Sequence, residues 1–198
     1  MYTTKSYQMR SVNYKQLLIT TLLVLFLTAS CTPRESQVDS QEVAEEKNKE
    51  KFTTPEAKQD AKFVTDAVAS SLAQVRLADL ALLKSRDQEI KSIASHVKNE
   101  HAMLLADLTT YAAEHVITIP LTETEEVRKR ILKLENETDQ FNKKWCNEVL
   151  TLHKESIESL DIANERVADS ELKEWSASTL PRLRKNFDLV SASYNRVN

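Results

Sequence analysis

Glycine is absent from all 198 residues of this sequence, whereas soluble proteins contain on average about 7% glycine. Glycine is the residue that most easily adopts positive φ angles and lets a backbone approach a phosphate closely. Its absence excludes phosphate-binding glycine loops, the glycine-rich turns of dinucleotide-binding folds and tight glycine hairpins. We therefore predict an all-α protein, made of long helices joined by a few polar turns.

Cysteine is nearly absent as well, with Cys31 and Cys146 as its two occurrences. If processing leaves Cys31 as a modified N-terminus, Cys146 has no partner for an internal disulfide. No histidine lies near Cys146 in sequence, so we interpret it as a small core residue and not as a nucleophile.

The N-terminal 30 residues have the pattern of an export signal. Their only charges are basic, and an uncharged apolar run of 11 residues follows over 17–27. This run is shorter than the roughly 20 apolar residues of a spanning helix. Small residues precede Cys31, as at a signal-peptide cleavage site. We predict a signal peptide over residues 1–30; its charges are Lys5, Arg10 and Lys15.

Cys31 follows the apolar run in the manner of a bacterial lipobox, which it resembles. The usual leucine three residues before the cysteine is replaced by Thr28, with Leu27 one position earlier. The resemblance implies lipidation of Cys31 with more than one acyl chain, such as palmitate, and stable anchoring to a membrane. The alternative is an ordinary signal peptide with an unmodified Cys31. We expect a cell-envelope lipoprotein facing the periplasm or the outside, in the outer membrane in preference to the inner one.

Net charge argues against a nucleic-acid partner. The predicted signal peptide holds three of the 27 basic residues and none of the 30 acidic ones, so its removal changes the formal charge from −3 to −6. A nucleic-acid-binding protein needs a basic face. We expect the membrane, through the lipid, and another envelope component as partners.

Residues 31–54 contain too few apolar side chains to bury a helix face. We expect the lipidated cysteine to be followed by a disordered polar tether over this range. The remaining residues, 55–198, have the length of one domain.

Apolar residues recur at helical spacing in five segments of this domain. Thr54-Pro55 is a favourable helix start, and Thr122 with Glu125 has the spacing of a capping box. The predicted helices span about 55–84, 88–115, 122–134, 141–168 and 171–194. The third is short, and Pro181 is expected to kink the last. We predict an antiparallel four-helix bundle, up-down-up-down, with a short extra helix between helices 2 and 3.

One polar residue lies on the apolar face near the middle of each long helix. Helices in a bundle place such residues at similar depth, so we expect them to converge. They are Gln74, His101, His153 and Asn186. A hydrogen-bonded polar layer that fixes helix register is the first interpretation, because buried polar groups need partners. A metal or small-ligand site at His101 and His153 is the second.

A di-metal oxidase centre is not expected, because it needs a Glu-x-x-His pair on each of two helices. Lys98 and Leu150 occupy the positions three residues before His101 and His153. His96 falls on the polar side of its helix and is expected to be solvated.

Four segments resemble a bacterial family known as domain-of-unknown-function family 4142, whose members are described as exported or outer-membrane proteins. They are FVTDAVASSLAQVRLADLAL at 63–82, HVKNEHAMLLADLTTYAAEHVITIP at 96–120, WCNEVLTLHKES at 145–156 and STLPRLRKNF at 178–187. The resemblance covers nearly all of the chain from about residue 60 onward. It implies a ferritin-like four-helix bundle located in the envelope.

The same resemblance implies a ligand set of a glutamate in the first helix, an acid-histidine pair in the second and a histidine in each of the last two. Glu100-His101 and His153 match this set, whereas Gln74 and Asn186 replace the other two members with neutral amides.

We therefore expect a non-enzymatic envelope lipoprotein with a structural, stress-related or binding role and no required cofactor. The alternative is a ferritin-like metal- or small-ligand-binding protein that uses His101 and His153. An exported hydrolase has no supporting Ser-His-Asp arrangement.

Overall fold

The computed structural model describes residues 39–197, and within them all regular structure is helical. The predicted signal peptide and Cys31 lie outside the described residues. The helices are α1 (Ser40–Lys51), α2 (Pro55–Lys84), α3 (Gln88–Glu114), α4 (Glu125–Glu135), α5 (Phe141–Arg166) and α6 (Ser170–Arg196). The predicted all-α class is confirmed, and the predicted bounds of the long helices agree to within a few residues.

Side-chain caps mark the start of every described helix except α5. Thr54 accepts a hydrogen bond from the Ala57 N–H at the start of α2, and Pro55 occupies the first helical position, where its missing N–H costs nothing. At α4 the predicted cap was wrong. Thr124, not Thr122, accepts from the Val127 N–H, because the Thr122 hydroxyl is hydrogen-bonded to Ser40 at the start of α1.

The four long helices form a bundle in which neighbouring helices are antiparallel. Three residues, 85–87, join α2 to α3, and three more, 167–169, join α5 to α6. The Trp145 indole, near the start of α5, donates to Leu77 O near the end of α2. Arg196, at the end of α6, pairs with Asp87 just before α3. Hence α3 and α5 run in the same direction.

This order corrects the predicted up-down-up-down arrangement to up-down-down-up. The connection from α3 to α5 is long and contains α4, so it carries the chain back along the bundle before α5 begins. A parallel diagonal pair requires such a crossover, whereas a short loop would have forced the two helices to be antiparallel.

Polar residues divide the core into two apolar clusters. One cluster contains Leu77, Ile90, Trp145 and Val190. The other contains Phe63, Leu104, Leu108, Leu160, Leu172 and Leu183. On α3, α5 and α6, the polar residue predicted from helical spacing lies between the residues that join the first cluster and those that join the second. On α2, Gln74 lies within the first cluster, directly after Ala73.

Helix α1 corrects the prediction of a disordered tether over residues 31–54. Residues 40–51 are helical and pack on α2, with Ala44 and Asn48 buried. The apolar content of this segment is low, as the sequence indicated. The helix is held in place by hydrogen bonds instead of apolar packing: the Asn48 amide donates to Thr118 O at 2.8 Å and accepts from the Thr118 N–H at 2.8 Å.

The predicted connector after α3 contains a positive φ angle in this glycine-free chain. Val116 has φ 57°, and the Ile117 N–H donates to Ala112 O at 2.8 Å. This is the hydrogen-bonding pattern of a Schellman helix end, in which glycine is the usual residue at the left-handed position. A β-branched side chain is unfavourable there.

Candidate functional site

Two histidines from different helices contact each other in the middle of the bundle. His101 of α3 and His153 of α5 have ring centroids 5.2 Å apart and ring planes at 89°. Their exposed fractions are 1% and 0%. The imidazole pair therefore lies in the protein interior, as the helical spacing predicted.

Gln74 of α2 joins this pair. Its side-chain amide lies 2.8 Å from His153 Nδ1, and Nδ1 lies 3.0 Å from Val149 O. A carbonyl oxygen can only accept, so the proton of His153 belongs on Nδ1, and the Gln74 amide satisfies the same N–H when its oxygen faces it. This tautomer leaves a free lone pair on His153 Nε2.

Several buried polar atoms of this layer have no hydrogen-bond partner. They include Nε2 of His101, Nε2 of His153 and one atom of the Gln74 amide. On the other side of its ring, His101 Nδ1 lies 3.4 Å from the Ser71 hydroxyl. Buried polar atoms are normally satisfied. Three unpartnered atoms lie together in this layer, and others lie elsewhere in the interior, including atoms of Asn186 and Ser193.

Burial keeps both imidazoles neutral. Desolvation lowers the pKa of His153 to about 4. The pKa of His101 is well below its usual value, first because of burial and second because of the adjacent His153. Neutral imidazole is the form that binds metals and accepts hydrogen bonds.

Asn186 of α6, the fourth predicted member, is buried but bonds elsewhere. Its Oδ1 lies 2.8 Å from His96 Nε2. His96 is exposed, as its position on the polar side predicted, but its contact with Asn186 was not foreseen. That contact depends on the register between α3 and α6, which helical spacing within one chain segment does not reveal.

Glu100, next to His101 in sequence, forms an ion pair. One of its carboxylate oxygens lies 2.6 Å from the Arg182 guanidinium. Of the ligand set implied by the family resemblance, only the two imidazoles and the Gln74 amide face one another.

A cavity of about 350 Å³ adjoins this layer, with His101, Ser71 and Thr179 among its lining residues. Thr179 is fully buried, and its hydroxyl has no partner. Ser71 and Thr179 were not singled out as site residues from the sequence. Their signal was a polar residue on an apolar face, the same one that identified Gln74 and His101.

Cys146 and the two tryptophans, Trp145 and Trp175, make packing or hydrogen-bond contacts. Cys146 is buried, and desolvation raises the pKa of its thiol to about 12. Trp145 packs in the core with its N–H on Leu77 O at 2.8 Å. Trp175 makes an edge-to-face contact with Phe63, with ring centroids 6.2 Å apart.

In the part of the chain that the structure describes, no cluster of three or more His, Cys, Asp or Glu side chains is arranged for a metal ion. Among residues 39–197, no helix combines the length and the apolar character needed to cross a bilayer.

Comparisons with known proteins place the chain by fold and by family. No curated protein matches its sequence. The structure is similar to the solved structure of CopM in the Cu(II)-bound form, with a TM-score of 0.61 and 11% sequence identity, over 70% of this chain and 97% of that one. At that identity the likeness shows the helical fold alone. The family model described as domain of unknown function DUF4142 matches residues 41–192, and the chain therefore belongs to this family.

Proposed function

We propose that this protein is a lipoprotein of the bacterial cell envelope whose helical bundle is a non-catalytic binding module. The observation that carries the binding role is the set of unpartnered, buried atoms at Gln74, His101 and His153. Leaving such atoms without partners costs about 1–3 kcal/mol each. A bound ligand that satisfies them offsets this cost.

The anchor is proposed from the N-terminal sequence: a basic flank, a short apolar run and Cys31 directly after small residues. Incorporation of labelled fatty acid into the full chain tests it. The label should disappear in Cys31→Ser and persist in Cys146→Ser, because Cys146 is buried. Labelling that survives Cys31→Ser would refute the assignment.

The non-catalytic role is supported by the chemistry of the interior. The Cys146 thiol stays protonated at neutral pH because its pKa is raised to about 12, and nucleophilic cysteines need the thiolate form. Glu100 is held by Arg182 and does not contact the imidazole pair. No acid-base pair is therefore set up beside the histidines.

A copper ion is the second candidate ligand, favoured by two observations. Both imidazoles have a free Nε2 in the interior, and imidazole nitrogen is a suitable copper ligand. CopM, which shares the fold, was solved in the Cu(II)-bound form. Cu(II) prefers a tetragonal set of nitrogen and oxygen donors, and two imidazoles with one amide do not complete it. The donor set fits the cuprous ion better, since that ion accepts two ligands.

Copper binding is tested on the full chain by competition with a Cu(I) chelator and by elemental analysis of the recovered protein. One copper per chain is expected, lost in both His101→Leu and His153→Leu. His96→Ala is the matched control, because His96 is exposed and outside the pair, and it should keep the metal. Absence of copper from the wild-type chain would leave the layer as a site for another ligand.

A further inference from the structure

The imidazole pair is closed off from the solvent. His101 and His153 have exposed fractions of 1% and 0%, and Nε2 of each ring is buried. A ligand of these atoms can therefore reach them only when helices of the bundle move apart. The bundle has four seams, each between two neighbouring long helices, and the contacts that hold them differ from one seam to the next.

Two of these seams lie within helical hairpins. Three residues join α2 to α3, and three join α5 to α6, so the helices of each hairpin cannot separate far at their joined ends. In the second hairpin, the buried Ser176 hydroxyl of α6 also donates to Leu160 O of α5 at 3.2 Å. The two hairpins can therefore part from each other only at the α2–α5 seam or at the α3–α6 seam.

The α2–α5 seam is held by buried hydrogen bonds and by an additional helix. The Trp145 indole donates to Leu77 O at 2.8 Å, and the Gln74 amide lies 2.8 Å from His153 Nδ1. On the outside, α4 packs against both α2 and α5, and α1 packs against α2. Both extra helices thus strengthen this side of the bundle.

The α3–α6 seam is held at its surface by polar side chains. The backbones of α3 and α6 are the least closely packed of the four neighbouring pairs. The Arg182 and Arg196 side chains are 40% and 43% exposed, and exposed ion pairs contribute little to stability because water screens them. The polar contacts along the seam are Asp107 with Trp175, Glu100 with Arg182, His96 with Asn186, and Glu89 with Arg196.

A buried polar atom at this seam also lacks a partner. Asn186 Oδ1 lies 2.8 Å from His96 Nε2 across the seam, whereas Nδ2 of the same amide is buried without a hydrogen bond. Separation of the helices hydrates this group and so recovers part of the free energy lost by burying it. Apolar burial opposes separation, since Leu104 of α3 and Leu183 of α6 share a core cluster. The seam is therefore closed in the structure, but it costs less to open than the α2–α5 seam.

We propose that the two hairpins separate along the α3–α6 seam, with the α2–α5 seam as the pivot, and that the ligand of the imidazole pair enters by this route. His101 belongs to the first hairpin and His153 to the second. A ligand that bonds to both imidazoles therefore holds the two hairpins together and closes the seam behind it. The entry of a ligand rests on the proposed binding function, whereas the opening of the seam does not.

Cys146 of α5 is a natural reporter of this opening. Its thiol is buried in the same core cluster as Ile90 of α3 and Val190 of α6. Burial is the main cause of the raised pKa of this thiol, and the charges of Arg196 and Asp87, at one end of the seam, also act on it. Separation of the hairpins exposes the thiol, so its rate of reaction with N-ethylmaleimide measures how often the seam opens.

The first experiment compares this rate with global unfolding. Labelling of the full chain in a non-ionic detergent is followed by mass spectrometry at urea concentrations below the unfolding transition, with a copper chelator present. The Cys146→Ser chain gives the background from Cys31. A partial opening exposes less surface than unfolding, so the labelling rate should depend on urea less steeply than unfolding does. An equally steep dependence would overturn the proposal, because the thiol would then be exposed only by global unfolding.

Two arginines of α6 separate seam opening from a general loss of stability. Arg182→Met removes the ion pair with Glu100 across the α3–α6 seam. Arg184→Met is the matched control, because it removes the ion pair with Asp161 inside the α5–α6 hairpin. Labelling of Cys146 should be about threefold faster in Arg182→Met, as for the loss of one partly exposed ion pair, and unchanged in Arg184→Met. Equal rates in the two variants would contradict the proposal.

A covalent bridge across the seam tests the route of the ligand. Glu100→Cys and Arg182→Cys are combined in one chain, and the two new thiols are joined by a bis-maleimide. In the matched control the same thiols are capped separately with N-methylmaleimide. The bridge should slow the labelling of Cys146 by about tenfold or more, because it blocks this opening and leaves only other, rarer ones. It should slow the uptake of Cu(I) by a similar factor.

The outcomes of the bridge experiment distinguish the two proposals. Equally fast labelling of Cys146 in the bridged and capped chains would show that the seam does not open. Equally fast copper uptake in the two chains would exclude the seam as the route of entry. If the wild-type chain takes up no copper, the copper proposal fails, and the labelling of Cys146 still decides whether the hairpins separate.

Discussion

Two buried polar regions of this protein use the same kinds of side chain in opposite ways. Where α1 meets the connector, Asn48 donates to Thr118 O and Thr65 Oγ1 and accepts from the Thr118 N–H. Its amide is fully satisfied. In the middle of the bundle, Gln74, His101 and His153 each leave one atom without a partner.

This difference separates a structural contact from a candidate binding site. A satisfied amide fixes one arrangement of the chain and has no capacity left for a ligand. An unsatisfied group costs free energy in the folded state, and anything that supplies the missing hydrogen bond or coordination is bound with that free energy. Burial alone does not distinguish the two regions, because both are almost completely buried.

The largest expected effect is a pH dependence that comes from the polar layer and not from the amide contacts of α1. His153 has a folded pKa of about 4 against 6.5 for the exposed group, so between these values the unfolded chain binds more protons. Stability is therefore complete above pH 6.5 and is lost as the pH falls toward 4. At 1.36 kcal/mol per pKa unit, His153 alone accounts for roughly 3 kcal/mol.

Urea unfolding at a series of pH values measures this loss. A chain carrying His101→Leu and His153→Leu is the control, because the carboxylates of the protein titrate equally in both chains. The difference between the two curves should grow below pH 6.5. Parallel curves would show that the imidazoles are not held neutral in the folded state.

Asn48→Ala should be the most damaging single substitution in α1. It leaves the Thr118 N–H without a partner and the Thr118 carbonyl with only the long 3.5 Å contact from the Thr65 hydroxyl, at a cost of about 2–3 kcal/mol. Glu46→Ala is the matched control on the exposed side of the same helix and should change stability by less than about 0.5 kcal/mol. Chemical denaturation measures both; equal effects would mean that α1 does not depend on this contact.

Replacing the polar layer with leucine should raise the stability of the protein, whereas Asn48→Ala lowers it. Gln74→Leu, His101→Leu and His153→Leu together remove all three unpartnered groups while roughly keeping volume. We expect the free energy of unfolding of the metal-free protein to rise by about 2 kcal/mol at neutral pH. Thermal unfolding measures this gain. Asn48→Leu, the parallel change at the satisfied site, should lose stability. If the triple substitution instead destabilises the protein, the polar layer has a structural role and the prediction is wrong.

The smallest expected effect concerns the end of α3. Val116 has a φ of 57°, and a left-handed conformation costs a non-glycine residue about 1–2 kcal/mol. Val116→Gly should therefore raise stability by about 1 kcal/mol, after allowance for the greater entropy of the unfolded chain. Leu121→Gly, in the same connector but without a positive φ, should lower it slightly. A loss in both would show that the strain at Val116 is compensated locally.

The sequence allowed a correct prediction of each long helix and of the depth of the polar layer. Helical periodicity and start signals such as Thr54-Pro55 are local, so they can be read without knowing the partners of a helix. The same reasoning placed Gln74, His101 and His153 in one layer, and in the structure the His153 ring contacts both the Gln74 amide and the His101 ring. It failed at residues 40–51, because α1 is stabilised by hydrogen bonds between Asn48 and two residues that are distant in sequence, Thr65 and Thr118.

By itself, then, the sequence of this protein determined a glycine-free helical chain with a polar residue in the middle of each long apolar face. Only the tertiary structure decided which of those residues meet: Gln74 with the two histidines, and Asn186 with His96 instead. It also decided that α3 and α5 run parallel and that a cavity remains beside His101. The physical reason is that helix formation depends on neighbours a few residues apart, whereas register and crossover direction depend on packing between segments far apart in the chain.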